Sequence, residues 1–162
     1  MPDSKPKKVI VFGGAGFLGG YVVEELNKRG HQVTVFDRNA PVGIKNGFEV
    51  IEGDIMDGPA VSAAVAGQDS VYNFAGLADL NDSIDRPVET VKLNVMGNLN
   101  VLEASRAAHV ERFVYASSVY VFSHKGAFYG ASKKSSELII EQYGEQYDLA
   151  YIEPDIQVSD AD

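Results

Sequence analysis

The chain has 162 residues, of which 14 are basic and 23 acidic, for a formal charge of −9; this excludes nonspecific nucleic-acid binding. It has no cysteine, hence no disulfide or thiolate chemistry, and no apolar run long enough for a membrane span. The start, Met1 to Lys8, is a polar tail with no signal-peptide core, so a cytoplasmic protein with a single domain of 1–162 is expected.

Alternating apolar and amphipathic segments predict strands at 8–12, 32–36, 48–52, 69–74 and 112–116. They predict helices at 17–29, 58–65, 87–108 and 130–146. The alternation implies an α/β fold, a Rossmann-type parallel sheet with helices on both faces. Asn39 to Phe48 carries Pro41, Gly43 and Gly47 and reads as loop. Leu77 to Pro87 reads either as a mobile segment near an active site or as a solvated connection.

The first strand, Lys8 to Phe12, runs into Gly13-Gly14-Ala15-Gly16-Phe17-Leu18-Gly19, and a helix with Leu18, Val22 and Leu26 on one stripe follows. Arg29-Gly30 closes that helix, and the second strand ends on Asp37. Strand, glycine loop, helix and a strand-ending acid together form a dinucleotide signature. The glycines admit a pyrophosphate to the backbone at the helix N-terminus, and the acid receives ribose hydroxyls. Gly13, Gly16, Gly19 and Asp37 are therefore candidate cofactor residues. Asp37 favours NAD over NADP because a carboxylate repels a 2′-phosphate; Arg38 is the complication, since it could neutralise that phosphate.

Tyr129 and Lys133, in Tyr129-Gly-Ala-Ser-Lys133, share one face of a helix. A cation beside a phenol favours the phenolate. Free tyrosine titrates near about 10, so a neutral-pH base requires roughly 4 kcal/mol of phenolate stabilisation. A serine hydroxyl at a neighbouring strand end, at Ser117-Ser118, is placed to hold a reacting oxygen. The three histidines, at 31, 109 and 124, are scattered and lack metal-ligand spacing, so no metal is expected. His124 is a candidate substrate contact or plain loop. Tyr143 and Tyr147 read as packing or a dimer face.

From about Lys8 to Leu149 the chain resembles the extended short-chain dehydrogenase/reductases, specifically the NAD-dependent sugar-nucleotide epimerases and dehydratases. The motifs are the glycine loop, Gly53-Asp-Ile-Met-Asp57, Val71-Tyr-Asn-Phe-Ala-Gly76, Asp85-Arg-Pro87 through Asn94 to Ala104, and Arg112 to Ser118. The resemblance implies that Asp54 and Ile55 flank the adenine and that Phe74, Ala75 and Gly76 run beside the cofactor. Phe17, Leu18, Arg38, Asn94, Ser117, Tyr129 and Lys133 complete the implied cofactor set. Aligning Val121-Phe122 with the family's Val-Tyr makes Ser118 the catalytic serine, with Tyr129 as base and Lys133 holding it ionised.

Two departures stand out. The loop from Ser118 to Tyr129 is short, and after Ile152 the chain reads Glu153-Pro-Asp155 and stops at Asp162, where the family continues a buried strand and a substrate domain. The resemblance thus implies a chain truncated after its cofactor half, with an atypical tail over 153–162. Two functions remain open: an NAD-dependent epimerase of the UDP-hexose 4-epimerase kind, or its cofactor domain; and a dinucleotide-binding module without turnover. The implied partners are a nucleotide-sugar, most specifically a UDP-hexose, and a second copy of the chain. The dimer contact would draw on Val91, Val95, Leu99, Leu102, Ile139, Ile140 and Tyr143, some of which must serve the domain's own core.

Overall fold

The computed structural model describes residues 5–39, 43–45 and 47–152. The atypical tail, 153–162, lies outside the described residues, as do residues 1–4 of the polar start. The elements run β1 (Lys8–Phe12), α1 (Phe17–Lys28), β2 (Gln32–Asp37), β3 (Gly43–Lys45), β4 (Phe48–Glu52), α2 (Gly58–Val65) and β5 (Ser70–Asn73). There follow α3 (Leu80–Asp85), α4 (Pro87–Val91), a π-helical turn (Lys92–Gly97), α5 (Asn98–Ala107) and β6 (Arg112–Tyr115). Two 3₁₀ turns (Val119–Phe122 and His124–Gly126), α6 (Ala127–Tyr147) and β7 (Tyr151–Ile152) complete the series.

The sheet order is β3-β4-β2-β1-β5-β6-β7. All pairings are parallel except β3 against β4, where Gly43 faces Val50 and Lys45 faces Phe48. Strand β3 corrects the reading of 39–48 as plain loop. The glycines that suggested a loop bracket a short hairpin, and Gly47 turns at φ +87°.

Period-two alternation in the strands builds two apolar layers. Val9 and Val11 point to one side, with Val23 and Leu26 of α1 and Val33, Val35 and Val50. Ile10 and Phe12 point to the other, where α2, α5 and α6 bring Val61, Val65, Val101, Leu102 and Ile140. Each fully buried side chain of this size contributes roughly 1.5–3 kcal/mol. Helix α2 begins on Asp57, whose carboxylate accepts the N–H of Ala60 at 3.1 Å, and has proline in its first turn. Such a cap is worth about 1 kcal/mol.

Two further segments carry structure that the sequence did not announce. Within Leu77 to Pro87, Leu80–Asp85 is helical, capped by Asp79, which accepts from Asp82 N–H at 2.9 Å. It has no apolar stripe, because its buried residue is Ser83, so hydrophobic periodicity did not mark it. The helix expected over 87–108 is divided by the π turn, which inserts a residue into the ladder. Gly97 closes that turn flush against Ile55; a Cβ there would lie 2.8 Å from the Ile55 side chain.

Candidate active site

Strand β1 is flanked by β2 on one side and β5 on the other, so the chain reverses its direction of progress across the sheet between them. In such sheets ligands bind outside the carboxyl ends of the strands at that point. A cleft of about 210 Å³ lies there. It is lined by Gly13, Gly16, Asp37, Arg38, Asp54, Ile55, Phe74, Ala75 and Gly76 of the expected cofactor set. Phe36, Asn39, Gly53 and Leu93 also line it. Gly53 and Leu93 lie within recognised motifs but were not singled out; Phe36 was read only as a strand position and Asn39 as loop, and the fold brings all four to the cleft.

The floor of the cleft is main chain. Gly13 adopts φ +73°, and a Cβ on it would lie 2.7 Å from Ala75 N and 2.8 Å from Phe74 C. Only glycine fits between β1 and the end of β5. The N–H of Gly13 donates to Phe36 O at 2.9 Å and that of Gly16 to Gly13 O at 3.1 Å. Helix α1 starts at Gly16 with no side-chain cap and no acidic residue in its first turn. Its first N–H groups have no intrahelical acceptor, which leaves a positive helix end beside the glycines. This backbone cradle, with the Asp37 carboxylate across it, fits the pyrophosphate and ribose of a dinucleotide.

Asp37 is held in place. Its Oδ2 accepts the N–H of Ala15 at 3.1 Å and its Oδ1 that of Asn39 at 3.1 Å. The acid ties the glycine loop to the β2 end, a structural role alongside any ligand contact. Asp54 Oδ1 accepts from Met56 N–H at 2.9 Å, which orients the Asp54-Ile55 segment at the cleft wall.

The remaining expected residues lie outside the cleft lining. Phe17 and Leu18 are exposed on α1, and Gly19 is buried against the Gly13 carbonyl. Asn94 is likewise absent from the cleft lining. It is buried, and its amide is engaged within the protein. Oδ1 accepts Leu77 N–H at 2.7 Å, while Nδ2 donates to Leu77 O at 3.0 Å and Ser132 Oγ at 2.9 Å. Asn94 therefore fastens the Gly76-Leu77 loop to α6 from behind the cleft. Ser117 likewise turns inward and donates its hydroxyl to Glu137 Oε1.

Ser118, Tyr129 and Lys133 converge where β6 meets α6. Ser118 Oγ accepts the N–H of Tyr120 at 3.3 Å and starts the first 3₁₀ turn. That turn rests on α6 at Gly130, where a Cβ would lie 3.0 Å from Tyr120 O, and the Tyr120 and Tyr129 rings meet edge to face at 6.2 Å. Lys133 is buried, 6 % exposed. Its Nζ donates to Ala116 O at 2.9 Å and lies 4.6 Å from the Tyr115 ring centre and 5.8 Å from that of Tyr129. Burial pushes the Lys133 ammonium down to about 8, against a smaller opposing pull from Glu137. No described residues form a His/Cys/Asp/Glu cluster able to hold a metal, and no helix among them is long and apolar enough to cross a membrane.

Comparison with known proteins follows the same lines. The sequence pattern of the NAD dependent epimerase/dehydratase family matches residues 9–154. A 3-beta-hydroxysteroid dehydrogenase of Mycolicibacterium neoaurum is 37% identical over 116 residues, 68% of this chain and 32% of that protein. A UDP-glucose 4-epimerase of Klebsiella pneumoniae is 34% identical over 127 residues, 71% of this chain and 91% of that protein. The crystal structure of Thermus thermophilus UDP-glucose 4-epimerase in complex with NAD superposes with a TM-score of 0.78 at 31% identity, covering 88% of this chain and 52% of that one. The chain thus spans about a third of the steroid dehydrogenase and about half of the Thermus enzyme. With its parallel sheet, its glycine-floored cleft and the matching pattern over most of its length, the chain belongs to the NAD dependent epimerase/dehydratase family.

Proposed function

We propose that this chain binds NAD in the cleft and carries the cofactor side of a sugar-nucleotide epimerase, with a UDP-hexose as substrate. The observation that carries this reading is the glycine floor with Asp37 in one chain with a Tyr129-Lys133 helix that Asn94 ties to the Gly76-Leu77 loop at the edge of the cleft. Gly13, Gly16 and the N-terminus of α1 would hold the pyrophosphate, and Asp37 the adenosine ribose. Asp54 and Ile55 would flank the adenine, while Phe74, Ala75 and Gly76 would line the passage toward the nicotinamide. When bound, NAD accepts the hydride of the substrate carbinol carbon and can return it.

The chain's own residues handle the proton. Ser118 Oγ hydrogen-bonds the substrate hydroxyl and fixes its orientation. Tyr129 Oη takes the hydroxyl proton as the carbinol is oxidised, and gives it back on reduction. Lys133 supplies a buried positive charge on the Tyr129 side, which favours the phenolate. Its ammonium is aimed by the Ala116 carbonyl, so strand β6 sets both Ser118 and Lys133.

Calorimetric titration with NAD and NADP, with chromatographic analysis of UDP-glucose and UDP-galactose after incubation, tests the reading. Tight NAD binding is expected; no heat with NAD overturns it. The steroid dehydrogenase similarity, at 37% identity, favours a second carrier for the same secondary alcohol, so a 3β-hydroxysteroid belongs in the assay. NAD binding without conversion of any of these alcohols would support the dinucleotide module without turnover.

A further inference from the structure

Glu137 lies one turn beyond Lys133 on α6 and is buried, 7 % exposed. A carboxylate at that depth has to be hydrogen-bonded and paired. Its Oε1 receives the Ser117 hydroxyl, and its Oε2 lies 3.2 Å from Lys134 Nζ. Ser117 separates two residues already placed at the site. The carbonyl of Ala116 receives Lys133 Nζ, and Ser118 Oγ starts the turn that rests on Gly130. Three consecutive residues at the end of β6 are thus tied down, 116 and 117 to α6 and 118 to the turn packed on it.

We propose that Glu137 is a positioning residue for Ser118, Tyr129 and Lys133: through Ser117 it fixes the end of β6 against α6, and its charge balances the buried ammonium. The proposal rests on the reading above for the roles of those three residues. Around Lys133 stand Glu137, four residues on along the same helix, the Tyr129 ring from that helix, and the Tyr115 ring and Ala116 carbonyl at the end of β6. Glu137 is the carboxylate in that set, and it pulls Lys133 toward the protonated form. Its second oxygen pairs with Lys134 at the protein surface, and Glu137 acts on Lys133 at longer range, through its charge.

Three variants separate the contributions. Glu137→Gln keeps an acceptor for Ser117 and removes the charge. Ser117→Ala removes the tether and keeps the charge, and Glu137→Ala removes both. The Lys133 ionisation midpoint is read by NMR of isotope-labelled lysine, with Lys133→Met identifying the signal; NAD affinity is read by calorimetry, and folding by circular dichroism. Glu137→Gln is expected to lower the Lys133 midpoint by roughly one pH unit, and Ser117→Ala to leave it in place. Ser117→Ala and Glu137→Ala are expected to weaken NAD several-fold, with Glu137→Gln retaining most of the affinity. An unchanged midpoint in folded Glu137→Gln overturns the electrostatic half. Wild-type NAD affinity in folded Ser117→Ala overturns the positioning half. If Glu137→Gln does not fold, Ser117→Ala decides the positioning half and the Lys133 midpoint in Glu137→Ala decides the electrostatic half. If the wild-type chain does not bind NAD, the functional reading fails, and the lysine titration still judges Glu137.

Discussion

Replacing Lys133 by methionine should remove a pH-dependence of stability that the wild-type chain carries. The ammonium is 6 % exposed, with one carbonyl, Ala116 O, at 2.9 Å, and burial pushes it from an ordinary 10.5 down to about 8. The folded pKa lies below the unfolded one. Between these values the unfolded chain therefore binds more protons, and stability rises with pH. The cost of the buried charge is fully present below pH 8 and is relieved on the way to 10.5. Between pH 7 and pH 10 the relief amounts to about 2–3 kcal/mol. Methionine fills similar volume and does not titrate, but it leaves Ala116 O without its donor, at a cost of about 1–3 kcal/mol. The Met variant should thus be about as stable as wild type, or slightly more so, at pH 7 and clearly less stable at pH 10. Urea unfolding followed by circular dichroism at pH 7, 8, 9 and 10 measures this. Tyr143, whose phenol is pushed up by burial and by its hydrogen bond to Glu103, would lower stability at still higher pH. Both chains share it, so it cancels in the difference. Stability curves that stay parallel across pH 7–10 would refute the buried-charge argument.

Asp37→Ala should weaken NAD and narrow its margin over NADP, because it deletes an acceptor and frees the Ala15 and Asn39 N–H groups; equal or tighter NADP binding by the wild-type chain would contradict the assignment. Gly13→Ala puts a methyl 2.7 Å from Ala75 N at φ +73°. It should cost about 2 kcal/mol or more in thermal unfolding and abolish detectable NAD binding; unchanged melting and affinity would be incompatible with this packing. The chain should self-associate through α4, α5 and α6, where Val91 and Leu138 are exposed, and light scattering at tens of micromolar giving a strict monomer mass would count against it.

The strands and the cleft were legible because their physics is local. A short apolar run, a glycine triplet and a strand-ending acid each fix a conformation over a few residues, and the register then brings Gly13 to Ala75. What was not legible depends on packing across the sheet. Of the apolar residues offered for a dimer face, Leu102, Ile140 and Tyr143 are the ones that serve the domain's own core, a division that helical spacing alone does not make. Val95, Leu99 and Ile139 are half-buried, the last two against the same core. Asn94 was read from a family motif, and its bonds to Leu77 and Ser132 depend on packing between segments far apart in the chain. Helix α3 carries no apolar stripe, so only its Asp79 cap announced it. Glu137 drew no notice because a glutamate in a helix is ordinarily a surface residue; its position one turn past Lys133 was the signal that was available.

Among the described residues, α1 is the helix packed on the Val9 and Val11 side of the sheet, while α2, α5 and α6 pack on the other. Helix α1 is therefore the natural first unit to open, at a free energy below that of global unfolding. A ligand seated on its N-terminus binds the closed form and not the open one. At a concentration 100 times its dissociation constant it would raise the opening energy by about 2.7 kcal/mol. The amide hydrogens of α1 would then exchange roughly a hundredfold more slowly, while those of α5, if they open independently of the cleft, would barely change. Occupancy of the cleft would be recorded more sharply in that difference than in a melting temperature.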